Sequence, residues 1–253
     1  MQNRFVIVTH QRSGSNMLVS MLDSHPEIKC FGELMRATPG WMRREGYRGA
    51  LRTLEKVDPI FREDHYRFSH PYEFVEAVFE TARRKICGFK QHLDQNPAFL
   101  KQLIHDPGWN VLVLQRENSL AQYSSQKITQ VTGQGSLPRG AKVIRATVEF
   151  KEREFVKFVN QKTKEWDGVF AALKAAGKSY LQVYYTELLS PQTATRMLEF
   201  LGVDPGVNIK PGTEKRNSSD ILSRFTNQEA AAATLEKMGK LEWRREIFPS
   251  IVT

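Results

Sequence analysis

Cysteine is scarce in this chain: its 253 residues hold two, Cys30 and Cys87. Two cysteines so placed form neither a metal-ligand spacing nor a disulfide framework, and a reducing compartment is the simpler expectation. Long apolar runs are missing as well. No stretch approaches the ~18 consecutive apolar residues of a membrane span. The N-terminus leads directly into a strand pattern, with no charged region ahead of an apolar signal segment, so a cytoplasmic protein is expected. Acidic residues are fewer than basic ones, 28 against 37, which leaves a formal charge of +9. Such an excess favours an anionic ligand or surface. The basic residues are dispersed, and no zinc-finger, RNP or helix-turn-helix pattern occurs, so a nucleic acid partner is not expected. The apolar share, 40%, suffices for an ordinary core, and the length suits one large domain.

What is present concentrates near the N-terminus. Residues 5–8 (FVIV) form an apolar, β-rich run of the kind that makes a fully buried strand. Residues 10–15 are polar, hold one glycine and cannot continue it. From Ser15 onward, Met17, Leu18, Met21 and Leu22 recur at helical spacing. A strand, a short Gly/Ser loop and a helix start aim backbone N–H groups and the positive end of a helix dipole at one point, which makes an anion site. Arg12 adds a fork of donors, and Ser13 and Ser15 add hydroxyls. The nucleoside-triphosphate loop needs G-x-x-x-x-G-K-[ST]. Here Gly14 is the single glycine and no lysine follows it, which argues against a Mg-ATP site. An ordinary strand-to-helix turn with capping serines is the bland alternative.

Further along, the segment Asp23-Ser24-His25-Pro26 ends the first helix. Residues 28–31 read as a second strand, with Glu33 just past its end. Ligands gather beyond the carboxyl ends of strands in open α/β sheets, so Glu33 is a candidate general base, or else a surface glutamate. Residues 36–85 read as mostly helical and charge-rich, among them Arg43, Arg44, Arg48 and Arg52, with Phe74, Val75, Val78 and Phe79 on one apolar face. Residues 86–90 (ICGFK) suggest a third strand, and Lys90 and His92 share one face at its end. A cation beside a titratable imidazole suits a charge-transfer reaction; a structural histidine is the alternative.

Residues 110–115 (NVLVLQ) form a buried strand that ends at Arg116. Asn118 or Ser119 caps a helix over 119–130 that carries Ser124. Arg116 and Ser124 thus make a second candidate phosphate clamp, unless Arg116 pairs with Glu117 or solvent. Residues 132–140 (TGQGSLPRG) are loop-like and a candidate lid. A long helix over about 149–176 follows, with Phe155, Trp166 and Leu173 in its core stripe. Residues 180–184 form another strand, and Pro191 opens a helix that Gly202 ends. Lys215, Arg216, Asn217 and Ser218 make a basic, hydroxyl-bearing loop before a helical tail. The alternation predicts an α/β fold, a central parallel β-sheet flanked by helices.

Three of these stretches resemble the sulfotransferases that use 3′-phosphoadenosine-5′-phosphosulfate (PAPS). THQRSGSNMLVSMLDSHPEIKCFGEL resembles their 5′-phosphosulfate loop, of the form P-[RK]-S-G-[ST]-[TS]-hydrophobic, with Gln11 where many members have proline. VLVLQRENSLAQYSS resembles their 3′-phosphate motif, and Arg116 and Ser124 keep its spacing of eight. VYYTELLSPQTATRMLEFLGV resembles the later Y-x-x-L…P…FLG segment. The Gly-Glu pair and the GFK strand look most like the bacterial carbohydrate branch, whose members sulfate Nod factors or trehalose glycolipids; tyrosylprotein sulfotransferases share a similar Gly-Glu pattern.

The resemblance implies one P-loop-like sulfotransferase domain over 1–253, with 36–85 and 126–150 on the acceptor side. It implies that Arg12, Ser13, Gly14, Ser15, Asn16 and Met17 hold the 5′-phosphosulfate, Arg12 also neutralising the leaving group. Arg116 and Ser124 hold the 3′-phosphate, and Lys215, Arg216, Asn217 and Ser218 close over it. Glu33 is the implied base, with His92 second or as an acceptor contact, and Lys90 near the transferring sulfuryl group. The donor is PAPS, the product is PAP, and no metal is implied. The acceptor is a hydroxyl on a carbohydrate or glycolipid, with a peptide or small natural product left open, as are a homodimer and peripheral membrane contact. A non-catalytic basic nucleotide-binding protein and a small-molecule kinase are the rival classes.

Overall fold

The computed structural model describes residues 3–36, 55–135, 140, 142–213 and 217–248. Five strands, β1 (Asn3–Thr9), β2 (Ile28–Glu33), β3 (Ile86–His92), β4 (Trp109–Gln115) and β5 (Tyr180–Tyr184), form one sheet in the order β2-β3-β1-β4-β5. All four pairings are parallel. Parallel neighbours need long crossovers, and helices provide them. These are α1 (Ser15–Asp23), α2 (Asp64–Ser69), α3 (Pro71–Glu80), α4 (Pro97–His105), α5 (Ser119–Thr132), α6 (Glu152–Ala175) and α7 (Pro191–Leu201); α8 (Gln228–Lys237) follows the sheet. No described helix is long and apolar enough to cross a membrane.

The centre of the sheet is apolar on both faces because helices cover both. Phe5 and Ile7 of β1 pack with Leu18 and Leu22 of α1 and Met197 and Leu198 of α7. Val6 and Val8 face the other way, among Phe74, Val78 and Phe79 of α3 and Trp166 and Leu173 of α6. A third cluster, Tyr123, Phe150, Phe155, Phe225 and Leu235, ties α5, α6 and α8 together. Some strands run further than expected, β2 on to include Glu33 and β3 to include His92, whereas the long helix expected over about 149–176 is shorter, Glu152–Ala175. Arg43, Arg44, Arg48 and Arg52 lie outside the described residues, as do 136–139, 141, Lys215 and Arg216.

Two features of the sheet position the site. After β1 the chain turns toward β2, and after β4 it turns toward β5, which opens a crevice at the carboxyl ends of β1 and β4. A β-bulge also interrupts β2 beside β3. Phe31 pairs with Phe89, yet Glu33, not Gly32, pairs with Lys90. The extra residue turns Glu33 to the side of the sheet where Lys90 and His92 lie, a re-aiming that bulges commonly perform.

Candidate active site

The loop after β1 is held in a sharply turned shape. Arg12 and Gly14 both have left-handed backbone, with φ of 63° and 82°. A side chain at Gly14 would also overlap the Tyr185 ring. Met17 N and Leu18 N donate to Gly14 O, so α1 starts directly from this residue. The first N–H groups of a helix have no intrahelical acceptor, and at the end of α1 they and the dipole offer an anion-binding point. Ser13 and Ser15 are buried there. Gln122 Nε2 donates to Gln11 O and Ser13 Oγ, Arg116 Nη1 donates to Arg12 O (2.9 Å), and Arg12 Nε donates to Ser125 Oγ (3.1 Å).

Beside this loop lies a charged cluster. Lys90 Nζ stands 3.0 Å from Glu33 Oε1 and donates to Asn16 Oδ1. Gln95 Nε2 donates to Glu33 Oε2 (2.9 Å), and His92 Nδ1 is 3.6 Å from the same oxygen. Burial alone would raise the Glu33 carboxyl; Lys90, His92 and Gln95 outweigh it and hold it down at about 2. Burial lowers the Lys90 ammonium, with Glu33 opposing. Burial also lowers the His92 imidazole, to about 4, again against Glu33, so His92 is neutral at physiological pH. Neither ring nitrogen of His92 has a hydrogen-bond partner among the described residues. The cluster opens on a cleft of about 980 Å³ whose walls include Arg12, Arg36, Phe68, Asp94, Asn96 and Gln134.

The two buried imidazoles predict how stability depends on pH. His92 and His10 each drop from 6.5 to about 4, both mainly through burial. The unfolded chain therefore binds more protons than the folded one between those values, and stability falls as pH drops through that window. At about 1.4 kcal/mol for every tenfold change in proton affinity, each site costs about 3 kcal/mol across that window. Glu33 adds a separate loss from 4.5 down toward 2, because its folded form favours the carboxylate. Urea midpoints measured from pH 7 to 4 should decline, and His92→Asn should flatten that decline. A flat wild-type profile would refute this assignment.

Arg116 directly follows β4 and Ser124 lies on α5, but neither stands open. Arg116 grips Glu246 with two hydrogen bonds, Nε to Oε1 at 2.7 Å and Nη2 to Oε2 at 2.5 Å, and its guanidinium lies 4.4 Å from the centre of the Tyr185 ring. Its partner is thus neither Glu117 nor solvent. Arg224 Nη1 donates to Ser124 Oγ (2.9 Å), and its Nη2 donates to Ser218 O. Ser218 therefore reaches this cluster through its carbonyl, and Asn217 adjoins it in the chain. No sequence pattern singles out Arg224, Glu246, Gln95 or Gln122. Each is an isolated polar residue, and only the fold brings it to the loop.

A glycine-bearing anion loop between a central parallel strand and a helix, beside a cleft, defines a P-loop-like group-transfer fold. The profile of the sulfotransferase family matches residues 4–205, and the chain belongs to that family of PAPS-dependent enzymes. A sulfotransferase from Alicyclobacillus acidocaldarius has a similar fold, with a TM-score of 0.52 at 16% identity over 98% of this chain and 97% of that one. The sulfotransferase domain from the curacin biosynthetic pathway aligns at a TM-score of 0.49 and 13% identity, over 93% and 98% of the two chains. No curated protein matches in sequence.

Proposed function

We propose that this sulfotransferase acts on a hydroxyl of a carbohydrate or glycolipid, with Glu33 as general base. The observation that carries the proposal is the meeting of Glu33, Lys90 and Asn16 beside the anion loop, at the wall of a cleft whose polar and apolar surfaces are nearly balanced. Many polar side chains, with Phe68 and Met35 as apolar contacts, suit an acceptor that offers hydroxyls and an apolar ring face, as a sugar does.

The donor set fits a phosphosulfate. Arg12, Ser15 and Lys90 line one cleft, and with the backbone N–H groups that start α1 and the Ser13 hydroxyl in the same loop they would favour an anion. Arg12 to Met17 would hold the 5′-phosphosulfate, and Arg116 with Ser124 the 3′-phosphate. PAPS supplies an activated sulfuryl group and a phosphate leaving group. The protein orients the acceptor, stabilises charge and takes one proton, so positioning and fixed electrostatics carry the catalysis. Glu33 accepts the hydroxyl proton. While its carboxylate is paired with Lys90 it is a weak base. Once Lys90 turns toward the anion loop, where it already bonds Asn16, Glu33 regains basicity. His92, neutral and buried beside it, contacts the acceptor.

Calorimetric titration with PAP tests the donor site. Wild type should bind, and Arg12→Ala should bind at least tenfold more weakly, the roughly 1.4 kcal/mol expected for one charge-assisted contact. Absence of PAP binding by folded wild type would refute the assignment. Labelled PAPS with a panel of sugars, glycolipids and peptides then tests the acceptor class. A peptide or small natural product as the best acceptor would overturn the carbohydrate reading.

A further inference from the structure

The site assigned above to the 3′-phosphate already holds an anion, and that anion belongs to the chain. Glu246 is 2% exposed, and both its oxygens are bonded to the Arg116 guanidinium. Arg224, 4% exposed, occupies Ser124. Lys162, buried at the back of the cluster, donates to Arg116 O and Ser119 Oγ.

Among the buried groups the charges do not balance. Burial and Arg116 lower Arg224 to about 10 and Lys162 to about 7; Glu246 opposes both changes, with Asp220 also opposing at Arg224 and Glu117 opposing more strongly at Lys162. Two guanidiniums and a partly charged ammonium thus gather around one buried carboxylate, with Glu117 and Asp220 exposed at the edge. A monoanion compensates them incompletely, whereas a phosphate, with charge between −1 and −2, would match them better.

The segment carrying Glu246 is also tethered to the loop expected to close over the donor. Glu246 N donates to Ser219 O (3.0 Å), Ile221 N donates to Arg244 O (2.8 Å), and Asn118 Nδ2 donates to the carbonyls of Trp243 and Arg245. Residues 219–221 and 244–246 are therefore laced together beside the end of β4.

We propose that Glu246 is an internal mimic of the donor's 3′-phosphate, which must leave Arg116 before a 3′-phosphorylated nucleotide can bind there. The inference rests on the donor reading above. Glu246 then sets donor affinity: a protein whose competent form is a minor fraction binds with affinity reduced by that fraction. It also explains how three buried cations are tolerated without a ligand, since unpaired buried charge is strongly destabilising.

The test compares Glu246→Gln with wild type against PAP and against adenosine 5′-monophosphate, which lacks the 3′-phosphate. The variant should bind PAP about tenfold tighter or more, a change of roughly 1.4 kcal/mol. Affinity for adenosine 5′-monophosphate should stay the same. Without ligand the variant should melt lower than wild type, and PAP should raise its melting temperature by more. In wild type, PAP should speed hydrogen exchange at the Glu246 amide. Glu246→Asp, which keeps the charge on a shorter arm, should fall between the two, and it serves should the glutamine variant not fold. Unchanged or weaker PAP binding by a folded variant would overturn the proposal and leave the donor site standing. An equal gain for both nucleotides would overturn it as well. Failure of both proteins to bind PAP would instead refute the donor site, and the proposal with it.

Discussion

Glu33→Gln should slow acceptor sulfation by roughly 10²–10⁴-fold, the range for loss of a general base. PAP affinity should not fall, because the proposed base acts on the acceptor's proton, and loss of its charge releases Lys90 toward the anion loop. The amide keeps the shape of the carboxylate and can still bond Gln95 and Lys90, but it cannot take a proton. His92→Asn is the matched control. It removes the second titratable group on the same oxygen and should cost less, chiefly in KM. The reverse pattern, with full activity in Glu33→Gln and none in His92→Asn, would transfer the role of base to the histidine. In wild type the acid limb of kcat should lie at higher pH than the ligand-free carboxyl at about 2, since turnover requires Lys90 to have left it.

Gly14→Ala should destabilise the protein by about 2–6 kcal/mol, the sum of a left-handed backbone strain and an overpacking cost. Both arise at one atom. The backbone at Gly14 has φ of 82°, and the new methyl would enter the ring of Tyr185, which is itself buried beneath Arg116. Relief requires the ring to move, and that would disturb the Arg116 pair as well. Urea unfolding would measure the loss, and PAP calorimetry should show binding weakened in parallel. A variant with the wild-type midpoint would mean that the loop has room the structure does not show.

Much of the fold is legible in the sequence because central parallel strands are apolar on both faces. Phe5 to Val8 and Val111 to Leu114 read as buried strands without knowledge of their partners. The anion loop is legible because strand, glycine and helix start are contiguous in the chain. What cannot be read is anything that depends on register. Glu33 pairs with Lys90 only because a bulge inserts one residue in β2, and no residue type announces that slip. Likewise the spacing of Arg116 and Ser124 places them as neighbours. That Glu246 and Arg224 fill them depends on a tail returning across at least a hundred residues.

The anion loop depends on supports from far along the chain. Its backbone and hydroxyls are tied by Arg116 and Gln122 at separations of 104 to 111 residues, and Gly14 rests on Tyr185. Closing loops of that length is slow and entropically unfavourable until other contacts reward it. The proposed donor pocket should thus form late, although its loop is synthesised well before β5. A nascent chain that has not yet produced β5 lacks the ring beneath Gly14 and cannot complete the pocket, so donor binding reports on a chain whose sheet is already whole.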